Sequence, residues 1–137
     1  MEIETCINYL LTQAQIKVSQ KFQENLSVCG VTPAQYLMLY YLWREDGLSP
    51  TQLAHLSGLD SSTITGLITR LERKGLIARV HNTDDRRSVS VTLTKDGADL
   101  KSITDPIISN SNTEVLSSFS EQERTMLEKA LVRLVRL

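Results

Sequence analysis

A mainly α fold carrying one small β-hairpin, α+β in class, is predicted by three observations. Apolar residues recur at steps of three and four from Ile3 to Leu26 and again from Met126 to Val135, the period of amphipathic helices. Thr32-Pro33, Ser49-Pro50 and Ser120 followed by Glu123 are helix-start signatures. Strand-like alternation is confined to one stretch, LIARV and then SVSVTL. A length of 137 residues suits one compact domain or one domain with helical extensions, and 41% hydrophobic with 23% charged residues is ordinary for a soluble globular chain.

Taken in order, Ile3, Ile7, Leu10, Leu11, Ala14, Val18, Phe22 and Leu26 make one face of a long first helix, expected to stop near Gly30. Its stripe is too long and narrow for a small core alone and calls for another long helix in this chain or a partner. Thr32 caps the next helix, whose run YLMLYYLW is apolar on almost every face and marks a central core element ending at Glu45-Asp46-Gly47. Ser49-Pro50 opens a short helix to about Ser57, and Gly58-Leu59 forms a tight turn. Asp60 or Ser61 then caps DSSTITGLITRLERKG, with Ile64, Leu67, Ile68 and Leu71 as its buried face. Two short helices joined by such a turn read as a helix-turn-helix. The strands LIARV and SVSVTL follow, linked by HNTDDRR, so the charged link becomes the tip of a projecting wing. Thr94 caps a further helix in which Pro106 is a possible kink point. SNSNTEVLSSFS is polar and carries no period. The last helix shows Met126, Leu127, Ala130, Leu131, Leu134 and Val135 on one stripe. The segments 1–30 and 102–137 are thus helical and call for a partner helix, in this chain or another, while 31–101 is a winged helix-turn-helix.

Charge supports a directional surface. The net charge of −1 does not resemble that of a general nucleic-acid binder, yet Arg70, Arg73, Lys74, Arg79, Arg86 and Arg87 lie in one segment against Glu72, Asp84 and Asp85. Opposite the buried face of the second helix of the motif stand Ser61, Ser62, Thr65, Thr69, Arg70 and Arg73, with Thr63 nearby. Small hydroxylic side chains allow close approach to base edges and phosphates, and backbone N–H groups at a helix start favour anions. Arg70 can reach a phosphate or a guanine edge. In the wing, an acid can hold a nearby guanidinium in a fixed direction, and one of Arg86 and Arg87 can enter a narrow minor groove.

The run VTPAQYLMLYYLW, the block LSPTQLAHLSGLDSSTITGLITRLERKGLI and the pattern D-x-R-S-x-x-V-x-L-T-x-x-G from Asp85 to Gly97 resemble the MarR (multiple antibiotic resistance regulator) family. The resemblance extends from about Ile7 to Leu100. It implies a homodimeric winged-helix transcription factor, most often a repressor, whose terminal helices interleave, so that 1–30 and 102–137 form a helical dimerisation region and 31–101 the DNA-binding region. It also implies a palindromic duplex operator, with the recognition helix in the major groove and a wing arginine in the minor groove. By position that arginine is Arg87 and the acid orienting it is Asp85, while Ser61, Ser62, Thr63, Thr65 and Arg70 fall where the family contacts DNA. Gly66 is a departure, since many members carry arginine or another reading side chain there.

Small-molecule effectors, phenolic or other, are the family norm, and Phe22, Tyr36, Tyr40 and Trp43 are the candidate pocket residues, although core packing is the plainer reading of each. An alternative is redox control through Cys6 or Cys29, although the cysteine that senses peroxide in some members aligns with Asn8. His55 and His81 are solitary, so neither a metal nor another cofactor is expected. No nucleophile–base pair or Gly-rich phosphate loop suggests an enzyme. A winged helix used only for protein contacts is the other alternative, but it leaves the Ser/Thr/Arg face unexplained. No apolar run reaches membrane-spanning length and no signal peptide is read at the N-terminus, so the expected address is the cytoplasm, with reduced thiols.

Overall fold

A computed structural model describes residues 1–82 and 84–137, with the side chains of Asp85, Arg86 and Arg87 outside that description. The chain runs α1 (Ile7–Leu26), α2 (Pro33–Arg44), α3 (Pro50–Ser57), α4 (Ser61–Arg73), β1 (Ile77–Asn82), β2 (Asp85–Leu93), α5 (Lys95–Asp99), α6 (Lys101–Val115) and α7 (Glu121–Val135). The mainly helical class with one antiparallel hairpin is as the sequence predicts.

The cap signatures act as read. Thr32, Ser49 and Ser120 each accept from the N–H three residues on, while Gln35, Gln52 and Glu123 return the bond to the cap residue's own N–H. Gly30 and Gly58 each hold φ at +72°, the left-handed conformation that ends a helix tightly. The start of α1 differs from expectation. Ile3–Thr5 form a separate 3-10 turn, tied by the Thr5 hydroxyl donating to the Glu2 carbonyl at 2.8 Å, and Cys6 is the residue before α1.

The hairpin is longer than its apolar alternation suggested. Ile77 pairs with Leu93 and the ladder continues to His81 with Val89, then shifts register so that Asn82 faces Asp85. Much of HNTDDRR is therefore strand rather than loop, because main-chain pairing outlasts the apolar side chains. Asn82 Nδ2 donates to Ser88 Oγ at 2.6 Å across the irregular step. At the other end Val91 N–H donates to the Leu48 carbonyl at 2.8 Å, which pins the wing to the α2–α3 connection.

The core is formed by Leu26, Val31, Met38, Leu39, Leu42, Leu48, Leu53, Ile64, Leu67, Ile68, Leu71, Ile77 and Val91. Among the described residues every buried hydrophobic side chain thus lies between Leu26 and Val91. The helix-turn-helix and wing close on themselves, whereas α1 before Leu26 and all of α7 bury nothing fully.

The periodless stretch SNSNTEV is helical: α6 continues through Pro106 to Val115. Its contact with α1 is polar, which hides it from an apolar-period reading. Asn25 Nδ2 donates to Ser111 Oγ at 2.8 Å and to Glu114 Oε2 at 3.0 Å, and Lys21 pairs with Glu114 at 3.0 Å. Ser111 is fully buried and is satisfied by donating to the Ile107 carbonyl at 2.7 Å.

Candidate nucleic-acid interface

Helix α4 begins at a carboxylate. Asp60 Oδ1 accepts from the Thr63 N–H at 2.8 Å and from the Ser62 hydroxyl at 2.8 Å, while Oδ2 accepts from the Thr63 hydroxyl at 3.0 Å. The Thr63 N–H bond, then the two hydroxyls, hold the Asp60 carboxyl below its ordinary value. The Thr63 N–H is consequently taken, and a phosphate arriving at this end would meet Asp60. Thr65 Oγ1 donates to the Ser61 carbonyl at 2.9 Å. With their protons committed, Ser62, Thr63 and Thr65 still offer oxygen lone pairs outward, suited to the amino groups of adenine or cytosine in a major groove. All four of Ser61, Ser62, Thr63 and Thr65 are exposed on this one helix. The organising role of Asp60 goes beyond the cap that the sequence suggests; its signal is an aspartate followed two and three residues on by Ser and Thr.

That arrangement has a pH signature. A carboxyl held low when folded contributes stability above its unfolded value, and the contribution is lost as pH falls through the lowered folded value. Asp60→Ala is therefore expected to lower the melting temperature at neutral pH. The deficit relative to wild type should shrink as pH falls through the lowered folded value, which thermal melts from neutral to acid pH would reveal.

The cations divide into two groups. Arg79 is consumed internally: Nη1 meets Glu72 Oε1 at 2.8 Å and Nη2 donates to Thr69 Oγ1 at 2.9 Å. Lys74 donates to the Gly30 carbonyl and to Gln35 Oε1, the latter at 2.7 Å, linking the end of α4 to the start of α2. Arg70 and Arg73 are exposed and donate to no acceptor among the described residues. Asp85, Arg86 and Arg87 belong to β2, but their side chains, and hence their sequence-assigned roles, lie outside the described residues.

A cleft of about 530 Å³ lies between α1, α2, the α3–α4 turn and α6, bounded in part by Phe22, Thr32, Pro33, Tyr36, Leu59 and Ile108. Of the four aromatic residues expected around a pocket, Phe22 and Tyr36 line it. Tyr40 and Trp43 do not. Trp43 packs edge-on against Tyr36 at 5.8 Å and donates its Nε1 hydrogen to the Gly97 carbonyl at 2.9 Å. Tyr40 packs against Tyr41 at 5.6 Å and lies under the Arg44 guanidinium. Burial, then Asp105, raises the Tyr36 phenol above its ordinary value. Cys6 and Cys29 are free thiols, half-buried, and His55 and His81 are exposed on separate elements. Among the described residues no group of three potential metal ligands occurs, and no helix is long and apolar enough to cross a membrane.

Comparison with known proteins places this geometry in a family. A family model described as the MarR family matches residues 31–89. The organic hydroperoxide resistance transcriptional regulator of Bacillus subtilis is 35% identical over 101 residues, which is 74% of this chain and 69% of that protein. Bordetella bronchiseptica BpsR, whose DNA binding is regulated by 6-hydroxynicotinic acid, matches with a TM-score of 0.91 at 26% identity, over 100% of this chain and 98% of that one. S. aureus MepR in complex with DNA matches with a TM-score of 0.84 at 26% identity, over 96% of this chain and 97% of that one. The chain therefore belongs to the MarR family of winged-helix transcriptional regulators.

Proposed function

We propose that the chain works as a homodimer that binds a palindromic duplex operator in the cytoplasm, represses transcription there, and is released by a small-molecule effector. The observation that carries this reading is a division of labour. Segment 31–101 has nearly the whole core and the exposed Ser/Thr/Arg face of α4, whereas 1–30 and 102–137 leave much apolar surface exposed, Ile7, Leu10, Leu127 and Leu131 among it. Ile7 of α1, Ala130 and Leu134 of α7, and Leu137 just after α7 flank a single cleft of about 330 Å³, a place for helices of a second copy. Two reading heads held by such helices would meet successive major grooves.

The effector would occupy the cleft lined by Phe22 and Tyr36, as 6-hydroxynicotinic acid acts on the DNA binding of BpsR. Because the cleft abuts Leu59 in the turn before α4, a ligand that prefers one spacing of arm and recognition helix shifts the dimer away from its DNA-binding geometry. Genomic footprinting with and without aromatic or peroxide ligands tests operator and effector together. Duplex affinity should fall steeply with salt through counterion release. A module made only for protein contacts would ignore added duplex at any ionic strength.

Arg87 is read here as the minor-groove residue on its place in the wing pattern. Arg87→Ala is expected to cost about 1–3 kcal/mol of operator affinity, with a larger loss where the flank is A·T-rich. Fluorescence anisotropy on operators differing only in the flank measures this; equal loss on every flank would reduce Arg87 to a phosphate clamp.

A further inference from the structure

Gly66 lies in the middle of α4, on the same stripe as Ser62 and Arg70. A Cβ built there would stand 3.5 Å from Arg70 Nη1 and 4.0 Å from its Cζ, with nothing else within 4 Å apart from adjoining residues and the helix's own backbone. The Arg70 side chain is thus folded back along the helix, its guanidinium over Gly66. That moves the charge about one turn, roughly 6 Å, towards the N-terminal half of the recognition helix. The N-terminal half is the part of such a helix that meets base edges. The guanidinium is exposed and donates to no described acceptor, and the acid nearest in sequence on α4, Glu72, is committed to Arg79.

We propose that Arg70, laid over the bare backbone of Gly66, is a base-reading residue of this helix and that its target is a guanine edge. A guanidinium in this position presents parallel N–H donors, the complement of guanine O6 and N7. An arginine extended outward from the same residue would sooner meet a phosphate. Gly66 supplies the room: an alanine methyl there would make only an ordinary contact with Arg70, whereas a leucine would occupy the space the guanidinium uses. This inference rests on the DNA-binding reading and gives Arg70 a sequence-reading role within it.

The test is selection from a randomised duplex library, followed by affinity measurement on single-base operator variants across a salt series. The proteins are the full-length wild type, R70A, G66A, G66L and the double variant carrying R70A and G66L. Wild type should prefer guanine at one position of each half-site by about tenfold or more. R70A should flatten that position to within about twofold while leaving the rest of the consensus in place. G66A should keep the preference. G66L should lose it with the salt slope of wild type, since the charge remains, and the double variant should read as R70A does. Two results overturn the inference: R70A weakening every sequence equally with a smaller salt slope, or G66L leaving the guanine preference intact. A G66L change of profile that persists in the R70A background also overturns it. Circular dichroism melts confirm that each variant is folded; both positions lie outside the core. A wild-type chain that selects no duplex overturns the DNA-binding reading itself. That result differs visibly from a wild-type consensus that R70A leaves unchanged.

Discussion

Glutamate at both Leu127 and Leu131 is expected to give a folded monomer that has lost operator binding. Helix α7 is capped by the reciprocal Ser120–Glu123 bonds yet buries no residue of its own, and Met126 and Val135 are 72% and 85% exposed. Such an apolar stripe on a well-formed helix is stable in water only when a second surface covers it. Charges on the stripe would have to be buried unpaired in a dimer, which is strongly unfavourable. The core between Leu26 and Val91 does not include α7, so the winged helix should remain folded. Two linked reading heads gain about 10²–10⁴ in avidity over one, so the affinity lost should be about 100-fold or more. Sedimentation equilibrium and anisotropy on one preparation give both readouts. A monomeric variant with wild-type affinity would refute the dimer as the DNA-binding form.

Gly97→Ala should be the most damaging single-methyl substitution. A Cβ on Gly97 would fall 2.0 Å from the Leu76 carbonyl oxygen and 3.3 Å from Leu93 Cδ2. The backbone cannot easily yield, because four elements meet here. The Leu76 carbonyl accepts from Thr94 N–H at 3.1 Å, Thr94 Oγ1 donates to the Gly75 carbonyl at 2.6 Å, and the Gly97 carbonyl accepts from Trp43 of α2. The end of α4, the base of the wing, α5 and α2 are locked together at one point. Overpacking there should cost at least the upper end of the usual range of about 1–3 kcal/mol. Urea denaturation with an unchanged slope would record it as a lower midpoint. Gly66→Ala should do the opposite and gain about 1 kcal/mol, because it replaces a half-buried glycine in a helix interior that has room for the methyl. Equal stability of the two variants would contradict this account of close packing at Gly97.

What the sequence discloses follows from which interactions are local. Caps are encoded within four residues, so Thr32, Ser49, Asp60, Thr94 and Ser120 announce α2, α3, α4, α5 and α7. The buried face of α4 is legible because Ile64, Leu67, Ile68 and Leu71 repeat at helical spacing against one core. Helix α6 is hidden beyond Ile108 because its mate is α1 and the bonds between them, Asn25 to Ser111 and Lys21 to Glu114, are polar and distant in sequence. The extra length of the hairpin is hidden because backbone pairing, not side-chain alternation, carries it past Val89.

The interface divides in the same way. That α4 carries a hydroxylic and cationic face is a pattern visible in the residues. Which cations are spent is not, since Arg79 is withdrawn by Glu72 and Thr69 and Lys74 by Gly30 and Gln35, all through tertiary geometry. By type Tyr40 and Trp43 suit a pocket or ordinary packing alike. They pack along α2 and against Gly97, one or two turns from the cleft that Tyr36 lines.

The most direct measurement is the mass of the complex formed on a short duplex containing a single selected operator, taken by sedimentation velocity at low and at raised salt. Two chains per duplex at low salt, dissociating together as salt rises, is the predicted result. One chain per duplex, or no complex even at the lowest ionic strength, would contradict it.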